Sequence, residues 1–278
     1  MLTGASAADA MDIVRRAGLD RIEGVFAYEG GENLVKPGLG HRRRTRLELP
    51  DGEDHPRVLY LKRYGRTGIG DGIRRWMEHG RRASTARVEF DNIRAAREAG
   101  VPTMEAVACG DDPSLLGCGR SFLIVTAVPG DAMERCFDEY LASHDAQTVG
   151  DLTARLASMV RALHGSGYVH RDLYAAHVFL DSSTGRDDLY LIDLARMFRP
   201  RLRRRRWFVK DLAQLRYSMP PAWVEQHWEA FLAEYLGDQP VGTRRMWEKL
   251  ITRKVASMRR RDRRRQARRE AAQQGGGQ

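Results

Sequence analysis

The spacing of apolar residues changes character along this chain. The run RVLYLKRY reads as a strand, whose side chains alternate between two faces, so Val58, Tyr60 and Lys62 share one face of a strand ending at Tyr64. Upstream, LVKPGLGHRRRTRLELP predicts two more strands around Pro37-Gly38-Leu39-Gly40, with Asp51-Gly52 as the turn into the third. Val107 to Gly110 and Arg120 to Val128 complete five strands, and Pro129-Gly130 breaks the last. Helical spacing appears elsewhere. Residues 1–20 predict a short leading helix. Ser84 to Ala99 predicts another, with Ser84 as N-cap, Gly100-Val101-Pro102 as the stop and a stripe of Ala86, Phe90, Ile93 and Ala96. Beyond Gly130 the pattern is mainly helical. Val149, Leu152, Leu156, Met159, Val160 and Leu163 form one stripe, ended by Gly165-Ser166-Gly167, and Val224, Trp228, Phe231 and Tyr235 form a second. Gly65 to Gly80, glycine-rich and basic, reads as a mobile loop with a short helical piece. The fold class expected is α+β: a lead-in over 1–20, a small antiparallel-sheet region over 21–128, a mainly helical region over 129–252 and a basic tail over 253–278.

Composition narrows the class. With 278 residues and 42% hydrophobic content the chain can build a full core. Cys109, Cys118 and Cys136 have no CxxC spacing, which argues against structural zinc or a disulfide framework and suits a reducing cytosol. The first residues lack the basic flank and apolar core of a signal peptide. The longest apolar run, Phe122 to Val128, is too short to span a bilayer, so any membrane contact is expected to be peripheral.

The net charge of +10 is unevenly spread. Residues 253–269 hold ten Arg or Lys against the single acid Asp262, and Arg199, Arg201 and Arg203 to Arg206 form a second cluster. Such patches draw polyanions or anionic lipid, although a solvated helix end with a solubilising tail explains the same residues. The tail has no stacking aromatics, which argues against nucleic acid as its partner.

The densest chemistry lies in YVHRDLYAAHVFLDSSTGRDDLYLID. His170-Arg171-Asp172 is followed five residues later by His177, and Asp193 closes an apolar run. Strand, polar loop, strand, turn and strand would bring Asp172, His177 and Asp193 to one mouth. This is the layout of a kinase-type catalytic loop, in which one Asp takes the acceptor hydroxyl's proton and another binds Mg²⁺ on nucleotide phosphates. A surface loop with ordinary acids is the blander alternative. Glu89 falls near the inward face of its helix, where a carboxylate needs a cation, and Lys62 on the preceding strand is the natural partner.

Together, LKRY, EFDNIRAAREAGVPT, HRDLYAAHVFL, LYLIDLAR and VKDLAQL resemble the bacterial lipopolysaccharide core kinases, which phosphorylate heptose or Kdo in the inner core. The resemblance covers roughly residues 30–220. It implies a two-lobed protein-kinase-like fold that uses ATP and Mg²⁺ on a lipid-linked core saccharide, at the cytoplasmic face of the inner membrane. It implies catalytic positions at Asp172, Lys62 and Glu89, nucleotide contacts from Gly38, Gly40, Lys62 and His177, and metal contacts from Asp193 and His177. Asp211 resembles the acid that braces the catalytic loop. The basic tail is expected to meet the anionic membrane surface. Three departures from the protein-kinase pattern stand out: there is no full GxGxxG, His177 stands where protein kinases have Asn, as is common in this family, and only 18 positions separate Asp193 from Asp211 with no APE between them. The last suits a compact acceptor site better than a peptide platform. A kinase with a protein or other small-molecule acceptor, or a non-catalytic pseudokinase scaffold, is the alternative. Competent side chains at Lys62, Glu89, Asp172 and Asp193 argue against the scaffold.

Overall fold

The computed structural model describes residues 7–34, 42–51, 56–80, 82–114, 116–183 and 185–275. Gly38 and Gly40 lie outside them. The chain divides into two compact units, residues 1–130 with 190–199, and residues 131–189 with 200–278.

The first unit holds α1 (Ala7–Arg16), α2 (Ile22–Ala27), β1 (Glu32–Asn33), β2 (Arg42–Leu49), β3 (Arg57–Tyr64), α3 (Ile69–His79), α4 (Thr85–Glu98), β4 (Ala106–Asp111) and β5 (Ser121–Thr126). Its strands form the expected five-stranded sheet, antiparallel throughout, in the order β1-β2-β3-β5-β4. Strand alternation sorts the two faces. Leu47, Leu49, Leu59, Leu61, Phe122 and Ile124 pack with Ile13, Val14, Leu19 and Val25 of the N-terminal helices and the turns after them. Lys62 points the other way, toward α4. Helix α4 begins where capping chemistry places it: the Ser84 hydroxyl accepts from the Arg87 N–H at 3.1 Å. Its buried face is broader than the apolar stripe suggests, because Val88, Glu89 and Asn92 join Ala86, Ile93 and Ala96, while Phe90 is only half-buried.

Residues 65–80 are more helical than the sequence suggests. The short helical piece expected there is a helix of 11 residues, α3, which the glycines frame. Gly68 is its N-cap, Gly80 closes it in the left-handed conformation with its N–H on the Trp76 carbonyl, and Gly72 is buried inside it.

The second unit contains β6 (Asp131–Ala132), α5 (Met133–Ser143), α6 (Ala146–Gly165), β7 (Val178–Asp181), α7 (Arg204–Ser218), α8 (Pro221–Leu236) and α9 (Val241–Gly275). A final strand, β8 (Asp188–Leu191), leads the chain from this unit into the first. Helices α6 and α8 pack together around Leu156, Val160, Leu163 and the aromatic residues Trp223, Trp228 and Phe231. Trp223, fully buried, also donates its indole N–H to the Thr153 hydroxyl at 2.9 Å. Helix α9 lies on α7 through buried Ile251 and Val255 and through Arg216–Glu248 at 2.7 Å. It runs unbroken across position 253, so the basic segment begins inside a docked helix. No described helix is long and apolar enough to cross a membrane.

Candidate active site

Within the first unit the expected ion pair is formed. Lys62 Nζ stands 2.5 Å from Glu89 Oε1, and both residues are buried. The antiparallel register sets Lys62 opposite Leu123 on one side and Arg44 on the other, and helical spacing turns Glu89 inward to meet it. The second Glu89 oxygen accepts the Tyr64 hydroxyl. Burial, and then the charge and hydrogen bond of Glu89, push the Tyr64 phenol well above its ordinary range, so it remains a donor. A buried carboxylate thus has a cation on one oxygen and a hydroxyl on the other, which is what burying a charge requires.

Asp193 lies in the same unit, in a short turn anchored by α4. Asn92, buried, donates its amide to the carbonyls of Leu194 at 2.8 Å and Met197 at 2.7 Å. Asp193 itself has φ of 60°, a left-handed conformation that costs a non-glycine residue on the order of 1–3 kcal/mol. Its carboxylate meets Arg44 Nη2 at 3.1 Å. Burial pulls the Arg44 guanidinium down, but Asp193, with Glu89 and Tyr64 adding to it, makes the net shift upward. Arg44 carried no signal in the sequence, being one of three consecutive arginines. Only the pairing of β2 with β3 shows it to be Lys62's neighbour.

The second unit holds the His-Arg-Asp loop. Asp211, fully buried on α7, accepts the backbone N–H of His170 at 2.7 Å on one oxygen and that of Arg171 at 2.9 Å on the other. His164 Nε2 is 3.3 Å from the same carboxylate, and its Nδ1 is 2.8 Å from the Tyr235 hydroxyl. A carboxylate only accepts, so Nε2 bears the proton and Nδ1 accepts from Tyr235. The brace runs from α8 through α6 to α7. It holds Arg171 in a left-handed conformation, φ 73°, and Lys210 of α7 binds the Arg171 carbonyl.

Asp172 follows, half-buried. Its backbone carbonyl sits 2.7 Å from His177 Nδ1, and it also accepts the Tyr174 N–H at 2.9 Å. Since a carbonyl cannot donate, Nδ1 of His177 carries a proton. The five-residue spacing therefore returns the imidazole to the backbone of the Asp that precedes it. Of the expected site residues, the structure pairs Lys62 with Glu89 and Asp172 with His177, while Asp193 meets a partner the sequence did not indicate.

A strand lysine paired with a helix glutamate, a braced His-Arg-Asp loop and an aspartate on a strained turn form the inventory of a kinase. Residues 42–235 match the model of the lipopolysaccharide kinase (Kdo/WaaP) family. The chain belongs to that family. Among its curated relatives, the lipopolysaccharide core heptose(I) kinase WaaP of Pseudomonas aeruginosa is 31% identical over 207 residues, 72% of this chain and 74% of the relative. The enzyme of the same description from Escherichia coli K12 is 31% identical over 187 residues, 65% and 68% of the two chains. A solved structure described as WaaP in complex with acyl carrier protein superposes with a TM-score of 0.67 at 27% identity, covering 88% of this chain and 95% of the other. The fold is kinase-like, and the chain is a kinase of lipopolysaccharide biosynthesis.

Proposed function

We propose that this kinase transfers the γ-phosphoryl group of ATP to a hydroxyl of a heptose in the lipopolysaccharide inner core. The observation that carries the reading is the braced loop that presents Asp172, in a chain whose relatives are named heptose(I) kinases. In the reaction the acceptor oxygen bonds to the γ-phosphorus and the bond from that phosphorus to the bridging oxygen breaks. ADP leaves, and the acceptor proton passes to the Asp172 carboxylate. Asp172 orients the hydroxyl, and Lys62, held straight by Glu89, meets the α- and β-phosphates. Gly38 and Gly40 would supply backbone contacts to the phosphates.

Among the described residues no group of three or more His, Cys, Asp or Glu could hold a metal ion alone. Mg²⁺ on nucleotide phosphates needs only one or two protein carboxylates, because phosphate and water complete its shell. Asp193 would supply one such carboxylate, which the Arg44 guanidinium now holds at 3.1 Å and would have to share with the ion. Bound there, Mg²⁺ would neutralise charge on the transferring group. His177 acts first as a positioning residue through Nδ1. It also takes the place of a residue that meets the metal or the nucleotide phosphate, although imidazole is a poorer Mg²⁺ ligand than oxygen.

The division at residues 128/129 would then separate the nucleotide-holding region from the acceptor-holding one. The acceptor is lipid-linked, so the enzyme works at the cytoplasmic face of the inner membrane, where the basic end of α9 meets anionic lipid. The test is phosphate transfer from ATP to purified core glycolipids that end in heptose or in Kdo, with peptides and free sugars alongside. Heptose-bearing glycolipids should be labelled and peptides should not. Labelling of peptides, or of Kdo alone, contradicts the heptose reading.

A further inference from the structure

Helix α3 carries large apolar side chains that nothing among the described residues covers. Ile69 is 69% exposed, Ile73 42%, Trp76 48% and Met77 63%. At about 100° per residue these four fall within an arc of about 100°, so they form one stripe rather than scattered exposures. The adjoining flank of the helix is the one that packs. Gly72 is buried so closely that a Cβ there would come within 2.6 Å of Cys118 Sγ and 2.9 Å of Leu116 Cβ. Arg75 ties the same flank down, with its guanidinium on the carbonyls of Gly117 at 2.8 Å and Ala83 at 3.2 Å. The helix is thus fixed with its apolar stripe outward, and rotating the stripe inward would break these anchors.

The segment around the stripe is basic. Residues 66–82 contain five arginines against Asp71 and Glu78; of the five, Arg75 lies on the packed flank and Arg74 pairs with Asp71 at 2.6 Å. Arg66, Arg74 and Arg82 are exposed. The register also places exposed Arg42 opposite Tyr64, at the end of the sheet where the chain leaves for α3. A tryptophan and aliphatic residues on one face, with exposed arginines on the helix and on the segments flanking it, suit a helix that lies in a membrane interface: apolar residues enter the acyl boundary and cations stay at the headgroups.

We infer that α3 docks this kinase on an anionic lipid bilayer, inserting Ile69, Ile73, Trp76 and Met77. A bilayer supplies hydrocarbon for the stripe and anions for the arginines without needing a matched shape. A second copy would bring arginine against arginine, and a compact acidic protein would answer the arginines better than the stripe. The inference uses the glycolipid reading only to say why a bilayer is at hand. It does not need the basic end of α9, because it rests on insertion rather than on charge alone.

The experiment uses the full chain and vesicles without acceptor, so its outcome is separate from that of the kinase assay. Phosphatidylglycerol-containing vesicles and neutral phosphatidylcholine vesicles are compared at about 0.15 M salt. Ile73→Glu/Met77→Glu should weaken partitioning onto anionic vesicles about tenfold, with circular dichroism and thermal unfolding unchanged because both positions are exposed. Lipids brominated in the acyl chain should quench part of the wild-type tryptophan emission, and Trp76→Phe should remove that part while leaving the protein bound. Unchanged partitioning in the double variant, or quenching that survives Trp76→Phe, overturns the inference. So does finding that the double variant loses self-association, or loses binding to an acyl carrier protein, while its vesicle binding is intact.

Discussion

At the residue scale the site depends on buried charge being fully answered. Glu89 has Lys62 on one oxygen and the Tyr64 hydroxyl on the other, so removing either member of the ion pair strands its partner. Lys62→Met and Glu89→Gln should each lower activity, and the double variant should be less impaired than the two losses added together. A double-mutant cycle should give a coupling of about 0.5–3 kcal/mol, and a coupling of zero contradicts the pairing. Lys62 and Glu89 were legible in the sequence, since strand alternation and helical spacing each fix where a side chain points. Tyr64 and Arg44 were not. A tyrosine ending a strand and an arginine among arginines look the same in any register, and only the β2–β3 pairing and the fold of α4 give them partners.

Among the elements, α4 serves two purposes. Its inward face supplies Glu89 and, one turn later, Asn92, whose amide holds the turn that carries Asp193. The apolar stripe could not reveal Asn92, because a buried polar residue breaks the stripe instead of extending it. Asn92→Ala takes the amide donor from the Met197 carbonyl and leaves the Leu194 carbonyl with only the Met197 N–H, at a cost of about 1–3 kcal/mol. We expect a loss of stability in denaturant titration together with weaker Mg²⁺-dependent nucleotide binding in calorimetry, and little change in metal-free nucleotide binding. Equal loss of both binding modes would make Asn92 a general packing residue. Glycine misled in the opposite way at α3. Gly68, Gly72 and Gly80 resemble a loop by composition, yet they serve as N-cap, close contact and left-handed C-cap. Composition does not distinguish glycine that frees a chain from glycine that lets a helix pack.

Across the whole molecule, five strands and the principal helices followed from periodicity, while the extent of the last helix did not. A run rich in arginine has no apolar stripe to mark it, but α9 is held as far as Asp262, which accepts the Tyr217 hydroxyl at 2.6 Å. Beyond that lone acid the arginines are exposed. Before it, burial and then Arg261 and Arg206 push the Lys254 ammonium down. Reversing Arg263, Arg264 and Arg265 to Glu should weaken binding to anionic vesicles and leave turnover on a soluble acceptor nearly unchanged, given a Debye length of about 8 Å. A collapse of that turnover would place the segment in the active site or the fold.

Stability should respond to alkali more than to mild acid through the buried phenols. Burial raises Tyr64, Tyr140 and Tyr235, with Glu89, Asp187 and Asp211 adding to the shift. A raised folded-state value means the contribution is fully present below the ordinary phenol value of about 10 and is lost as pH climbs through the folded one. Urea titrations should show stability from these groups declining only above about pH 10, with their ultraviolet ionisation delayed to the same range. Phenols that all titrate together near pH 10 in the folded protein contradict this.

The central claim is that Asp172 takes the proton from a core-sugar hydroxyl. The most direct measurement is single-turnover phosphate transfer from ATP to heptose-bearing core glycolipid by Asp172→Asn beside the unaltered kinase, with nucleotide binding followed calorimetrically in both. We expect nucleotide affinity to be retained and the transfer rate to fall about 10²- to 10⁴-fold. Transfer at the unaltered rate, with one phosphate on each acceptor, would contradict it.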